Sequence, residues 1–483
     1  MRYHAAPAHV REMPVSSHYR ADPQFERLGP EFADPVRPAI FPASLIRHRN
    51  DRAAAGIGLD ALTDEEWRAT FARFEPLPQN QAQPLAMRYH GHQFGVYNPD
   101  LGDGRGFLFA QVREGGGRLL DLGTKGSGQT PYSRTADGRL TLKGAVREAL
   151  AAAMLEALGV PTSRCLSVIE TGEALTRHDE PSPTRSAVMT RLSHSHIRFG
   201  TFQRHAYYDR ADLIGVLIDH VAEHYYPELT GAEPKAPALL AAVASRSAEL
   251  AAAWMTAGFV HGVLNTDNMN ITGESFDYGP YRFLPQSDPN FVAAYFDETG
   301  LYRFGRQPQT VYWNLCQLAG TLTLVAEEAA LSAALEGFGE AYRTALLAAM
   351  VRRLGLAPRS PAEDAALAAA AFKALAEGGA ALRWEPFFFD WFGGLASEAR
   401  ALRGPRAALY AGEAFKDFRD KLAAYDADRP ERLRHPYFER SEPEELLYDE
   451  IEALWRPIAE DDDWSAFAGK LAKIEAARQG WGF

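Results

Sequence analysis

The chain has 483 residues, 46% of them hydrophobic and 24% charged, which is more than one ordinary domain needs and excludes both wholesale disorder and a fibrous class. A formal net charge of -12 argues against a general nucleic-acid binder, which requires a basic surface to replace phosphate counterions. Cys165 and Cys316 are the only cysteines, too few for a disulfide framework or a Cys-rich zinc site, and both read as buried, inert thiols.

From the N-terminus, MRYHAAPAHVREMPV lacks the continuous apolar core of a secretory signal, and no apolar run approaches the roughly 18 residues of a membrane span. A cytoplasmic protein without a membrane partner is expected. Residues 1–100 are rich in Pro and aromatics with little periodicity, and read as an extension wrapped on the body, with one helix near TDEEWRATFARF. Next, FLFAQVR and RLLDLGTK flank Glu114-Gly115-Gly116-Gly117 and predict two strands joined by a tight turn. LKGAVREALAAAMLEALG is built of strong helix formers, stops at Gly159 and has Pro161 just beyond. CLSVIE and SAVMTRL are further strand candidates. The order strand, strand, helix, strand, strand predicts a small mixed lobe over 101–205. Residues 206–330 turn helical around APALLAAVASRSAELAAAWMTAGF, interrupted by the polar, Gly-rich VHGVLNTDNMNITGESFDYGP. In 331–483, and from about 307 onward, nearly every segment reads as amphipathic helix, including VYWNLCQLAGTLTLVAEEAAL and the packing stretch PAEDAALAAAAFKALAEG.

Three groups of residues carry chemistry. Gly102-Asp103-Gly104-Arg105-Gly106 precedes the first strand of the mixed lobe, where a flexible backbone can approach nucleotide phosphates, although glycines between elements are ordinarily turns. Lys125 ends the second strand, and Glu148 lies 23 residues later in the predicted helix. A strand Lys steadied by a helix Glu is how kinase-like enzymes aim an ammonium at phosphate oxygens. The most specific signal is His261-Gly262-Val263-Leu264-Asn265-Thr266-Asp267-Asn268 followed by Asp277-Tyr278-Gly279. Kinase-like folds pair a His-containing loop ending in a metal-binding Asn with an Asp-aromatic-Gly turn, and Asn268 and Asp277 suit a hard cation, Mg²⁺ or Mn²⁺. Where a phosphotransferase places its catalytic Asp, two residues after the loop His, this chain has Val263, which cannot accept a proton. Asp267 is the available carboxylate, on a different part of the loop.

GHQFGVYNPDLGDGRG, DLGTKGSGQTPYSRTADGR, VREALAAAMLEALGVPTSR, SHIRFGTF, HGVLNTDNMNI and FDYGP, in this order over roughly residues 87 to 320, resemble the selenoprotein O family. The resemblance implies an α+β, protein-kinase-like two-lobed pseudokinase fold, here with an N-terminal extension and an enlarged helical C-terminal region. It also implies ATP bound in a flipped orientation and AMP moved onto Ser, Thr or Tyr hydroxyls of proteins. Carried over by position, Gly102, Gly104, Arg105 and Lys125 would bind ATP, with Glu148 supporting Lys125. Asp137 and Gly138 match family nucleotide contacts, although ADGR by itself reads as a turn. Arg191 and Arg198 match the arginines that would hold the terminal phosphates, a task suited to guanidinium forks. Asp267 would accept the proton, and Asn268 and Asp277 would ligate the metal. His90 and His92 in YHGHQFG lack a third ligand and read as structural. The chain departs from the family in finishing AARQGWGF without a Cys and in lacking a Cys after the DYG segment, so redox control is not expected. A conventional phosphotransferase and a nucleotide-binding scaffold stay open as rivals, as do UTP in place of ATP and the oligomeric state, for which a monomer is plausible.

Overall fold

In the computed structural model, which describes residues 13–178 and 180–483, the chain divides into two units. The first comprises residues up to Met87, Asp103–Leu142 and Leu166–Leu192; the second comprises Arg88–Gly102, Lys143–Cys165 and Ser193–Phe483. Most of the segment MRYHAAPAHVREMPV lies outside the described residues.

The first unit is organised by an eight-stranded sheet. Its strands run in the spatial order Ala33–Pro35, Leu85–Met87, Leu108–Arg113, Leu119–Lys125, Thr184–Ser193, Arg164–Leu175, Leu45–Arg49, and Leu140–Thr141 pairs with Thr184–Ser193 off this path. Leu108–Arg113 and Leu119–Lys125 pair antiparallel, Val112 opposite Leu120, and Gly117 closes the turn between them by donating its N–H to the Glu114 carbonyl at 2.8 Å. The residues of Leu119–Lys125 are all buried, not alternately so: Leu120 and Leu122 join the cluster of Trp67 and Phe71, and Asp121 accepts from Gln111 Nε2 at 2.7 Å. The helix Asp64–Phe71 begins at the predicted place. Thr63 caps it and Glu66 reaches back to complete the capping box, which satisfies two orphan donors at once. The helix then buries Trp67 and Phe71 against Phe107, Phe109, Leu120, Leu166 and Val188, and Trp67 Nε1 donates to Ser167 Oγ at 2.9 Å. Within the segment read as an extension with a single helix, five strands of three to five residues and the helix Asp51–Gly56 also form among the described residues. Such short strands span too few alternations to register as a period, and their neighbours in the sheet define them.

The second unit is mostly helical, and the molecule is α+β. The helix Leu142–Ala157 lies in it from Lys143 onward, followed by Phe199–Tyr207, Ala211–Tyr225 and Lys235–Thr256. Pro361–Gly378 matches the Ala-rich prediction, since Ser360 and Glu363 form a capping box and Pro361 sits at the first turn. The stretch VYWNLCQLAGTLTLVAEEAAL, expected as one helix, is divided between Gln307–Leu322 and Glu328–Glu336. Thr321 Oγ1 donates to the Leu318 carbonyl and Thr323 Oγ1 to that of Gly320, at 2.6 and 2.8 Å, offering the backbone an alternative to continued helix. Trp384, Trp391 and Trp481 join Phe387, Phe388, Phe389 and Phe392 in one buried aromatic cluster. Among the described residues no helix is long and apolar enough to cross a membrane.

Candidate active site

In the second unit, strands Phe259–Val260 and Arg282–Phe283 pair antiparallel and hold between them the segment 261–281. His261 opens it. Its Nε2–H donates to the Phe276 carbonyl at 3.0 Å and its backbone N–H donates to Gln307 Oε1 at 3.0 Å. Because a carbonyl only accepts, this contact fixes the tautomer and ties the loop to the residue that precedes Asp277.

The rest of the loop is anchored through groups other than the Asp267 carboxylate. Asn314 Nδ2 donates to the Leu264 carbonyl at 2.9 Å, Tyr302 Oη donates to Asn265 Oδ1 at 2.7 Å, and Thr266 Oγ1 donates to Gln203 Oε1 at 2.6 Å while accepting from His92 N–H at 2.7 Å. Arg198 Nη1 donates to the Asp267 carbonyl at 2.7 Å, and its guanidinium lies 4.4 Å from the Tyr89 ring and 4.8 Å from the Phe276 ring. Asn268 Nδ2 donates to the Val263 carbonyl at 3.1 Å, which leaves its Oδ1 as an acceptor available to a cation.

Asp267 is 8% exposed, and its Oδ1 has no hydrogen-bond partner among the described residues. Gly91 leaves it room: a Cβ there would stand 3.1 Å from both Cβ and Oδ1 of Asp267. Burial pushes the Asp267 carboxyl up to about 6, with the Asp277 charge adding to the rise, against the opposing pull of Arg198 and a hydrogen bond from Gln93. Asp277 is half-buried and has φ 65°, a left-handed backbone that Asp tolerates better than most residues. Tyr278 beside it is buried and hydrogen-bonded to Thr162, and burial, with the nearby Glu148 charge a lesser cause, raises its pKa. Glu148 is itself buried. At the preceding residue, Tyr281 Oη donates to the Arg147 carbonyl at 2.7 Å, so the helix Leu142–Ala157 sits against the DYG segment.

In the first unit, Gly104, Arg105, Lys125, Asp137 and Gly138 gather around one crossing of the chain. The Gly126 N–H donates to the Arg105 carbonyl at 2.6 Å, and Ser133 Oγ donates to the Gly104 carbonyl. Gly106 must be glycine here, since a Cβ would fall 2.1 Å from the Thr124 carbonyl oxygen. Lys125 is buried at the end of its strand, unlike an ordinary surface lysine, and Arg105 is exposed. The Asp137 carboxylate accepts from Arg177 at 2.8 and 3.1 Å and from the Arg139 N–H at 2.9 Å. Burial opposes its ionisation, yet these donors hold its pKa below the usual value. Gly138 accepts from the Gly128 N–H at 3.2 Å. Arg191 is buried on Thr184–Ser193, the strand next to that of Lys125. Thus Arg198, Asp267, Asn268, Asp277 and Glu148 belong to the second unit, as does the buried Gly102, and the remaining candidates belong to the first.

The histidine pair is bound up in protein contacts. Arg204 Nη1 donates to His90 Nε2 at 3.0 Å, so Nδ1 carries the proton and meets Tyr97 Oη at 2.8 Å; His92 Nδ1 accepts from Gln203 Nε2 at 2.7 Å. Burial lowers both pKa values, that of His90 to about 4. Among the described residues no three His, Cys, Asp or Glu side chains gather to hold a metal ion, so any cation at Asn268 and Asp277 needs oxygens from elsewhere, and nucleotide phosphates are suitable donors. Cys165 is buried, but Cys316 is half-exposed, contrary to the sequence reading, because its helix turns that edge outward. Burial raises the Cys316 pKa, which keeps it a poorly reactive thiol. Oxidant or reductant is accordingly expected to change the transfer rate by less than about twofold; strong activation by dithiothreitol would contradict this.

Sequence reasoning misses Gln93 and the strands Gly91–Gln93 and Val96–Asn98 that bring it to Asp267. The segment lies more than 170 residues before the loop it supports, and its only signal is the clustering of polar residues and glycine in GHQFG.

Comparison with known proteins adds to this geometry. Residues 16–475 match the family described as Protein adenylyltransferase SelO. The chain is 56% identical over 337 residues to the "Protein nucleotidyltransferase YdiU" of Synechococcus elongatus, covering 69% of this chain and 68% of the relative. It is 45% identical over 476 residues to the protein of the same description in Synechocystis, covering 94% and 98%, and 42% identical over 360 residues to that of Pseudomonas putida strain GB-1, covering 74% and 73%.

Proposed function

The chain belongs to the SelO family of protein adenylyltransferases and is a protein nucleotidyltransferase, and from that premise we propose that it moves AMP from ATP onto Ser, Thr or Tyr hydroxyls of proteins. The observation that carries this reading is Asp267: a buried carboxylate whose Oδ1 has no hydrogen-bond partner among the described residues, in a chain that has Val263 where a kinase keeps its base. In the proposed step the acceptor hydroxyl oxygen attacks the α-phosphorus and gives its proton to Asp267. The bond from the α-phosphorus to the oxygen bridging the α- and β-phosphates breaks, and pyrophosphate leaves with the electron pair.

ATP would lie flipped, with Lys125, steadied by Glu148, and the Arg191 and Arg198 guanidiniums on the phosphates that are not transferred. Gly102, Gly104, Arg105, Asp137 and Gly138 would line the nucleotide's path, Asp137 and Gly138 through the turn that Arg177 braces. The fit of Asn268 and Asp277 to Mg²⁺ or Mn²⁺ rests on the Asn268 amide, turned so that its oxygen is the free end, and on the half-buried Asp277 carboxylate. A cation held there would offset the charge developing between the α- and β-phosphates. Asp267 stays beside these ligands as the proton acceptor, and its burial keeps bulk water from competing for that proton.

The acceptor class is tested by incubating the enzyme with ATP and a bacterial protein extract and mapping adenylyl groups by tandem mass spectrometry. Groups on Ser, Thr or Tyr oxygens are expected. Adducts confined to Lys or His nitrogens would overturn the assignment.

A further inference from the structure

Strands Gly91–Gln93 and Val96–Asn98 pair with Gln93 opposite Val96, so Phe94 and Gly95 alone make the turn. Both have positive φ, 50° and 78°. Two-residue turns of this hand favour Asn-Gly or Asp-Gly, because left-handed backbone crowds the Cβ of a bulky residue. Phenylalanine is held there against local preference, and such positions tend to mark function.

Burial does not account for it. Phe94 is 37% exposed, with its ring 4.9 Å from that of Tyr302 and 5.8 Å from that of Phe296. Phe296 lies 5.1 Å from Tyr295, and these two are 46% and 83% exposed. The cluster is continuous with the loop of Asp267: the Phe94 N–H donates to Asn265 Oδ1 and to Tyr302 Oη, each at 3.1 Å. Asn265 is the residue from which the turn Thr266–Asn268 starts. Asp267 follows two residues after Asn265, so one loop carries both the buried carboxylate and the contact to the exposed aromatic surface.

We propose that Phe94 determines acceptor specificity: together with Phe296 and Tyr295 it receives a large apolar side chain of the acceptor polypeptide, close in sequence to the hydroxyl that takes AMP. This rests on the reading of Asp267 as the base of adenylylation. A side chain at position 94 shaped for the turn alone would leave that receiving surface incomplete.

The test uses the full chain, α-labelled ATP and synthetic peptides bearing a single Ser, Thr or Tyr flanked by Leu or Phe, by Lys, or by Asp. The wild type is expected to label apolar-flanked peptides with kcat/KM about tenfold above charged ones, the scale of one desolvated aromatic contact. Phe94→Asn, which suits the turn, is expected to bring the preference to within about twofold by raising KM while leaving kcat, ATP affinity and Tm undiminished; Phe296→Ser acts in the same direction. Absence of an apolar preference in the wild type, its persistence in both variants, or labelling of the enzyme itself without any peptide overturns the proposal and leaves adenylylation standing. A loss of ATP affinity in Phe94→Asn in place of the acceptor effect, or a wild-type dimer that the variant makes monomeric with its preference unchanged, also overturns it. If α-label reaches neither peptide nor enzyme, it is the adenylylation reading itself that fails.

Discussion

Asp267→Asn should lower AMP transfer by about 100-fold or more while leaving ATP affinity within a few-fold of wild type, because a general base acts in the transition state and contributes little to ground-state binding. The same change should raise, or at least not lower, the melting temperature measured without nucleotide or added metal. The wild-type carboxylate is 8% exposed with an unpartnered Oδ1, and a neutral amide of the same shape relieves the burial of a charge. The Asp267 main-chain carbonyl keeps its bond from Arg198, so the loop should not move. Parallel loss of ATP binding and of stability would show instead that Asp267 is a structural residue.

Asp277 should be as sensitive for a different reason. Both Asp277→Asn and Asp277→Ala should reduce transfer by orders of magnitude, since each removes the only carboxylate assigned to the cation, and dependence on added Mn²⁺ or Mg²⁺ should weaken with it. The pair of variants separates charge from conformation. Position 277 has φ 65°, where Asn is tolerated and Ala is strained, so Asn should keep the wild-type stability while Ala lowers the unfolding free energy by roughly 1 kcal/mol. Near-wild-type transfer by Asp277→Asn would remove the carboxylate from the chemistry.

How far this was legible from residues alone depends on range. Helices such as Asp64–Phe71 and Pro361–Gly378 announce themselves through local capping chemistry, Thr63 with Glu66 and Ser360 with Glu363, and the strands around Glu114–Gly117 do so through a turn between apolar runs. The strands Ala33–Pro35, Leu45–Arg49 and Leu85–Met87 do not, because three to five residues become strand only when a distant partner supplies the hydrogen bonds. The candidate site divides in the same way. His261 to Asn268 and the DYG turn are contiguous stretches with distinctive spacing, so they stand out. The bond from Asn265 to Phe94, the approach of Gly91 to Asp267 and the stacking of Arg198 between Tyr89 and Phe276 join residues far apart in sequence, and no periodicity encodes them. The Asp137 carboxylate illustrates the converse. ADGR reads locally as a turn, and Arg177 and the Arg139 N–H brace it as one.

The central claim, transfer of AMP with loss of pyrophosphate, is tested most directly by presenting the enzyme in parallel with ATP labelled on the α-phosphate and ATP labelled on the γ-phosphate, using self-modification and a crude protein mixture as acceptors. α-Label should appear on protein in an Asp267-dependent manner, and γ-label should appear only in pyrophosphate. γ-Label on protein without α-label, abolished by Asp277→Ala, would contradict the account and identify a kinase.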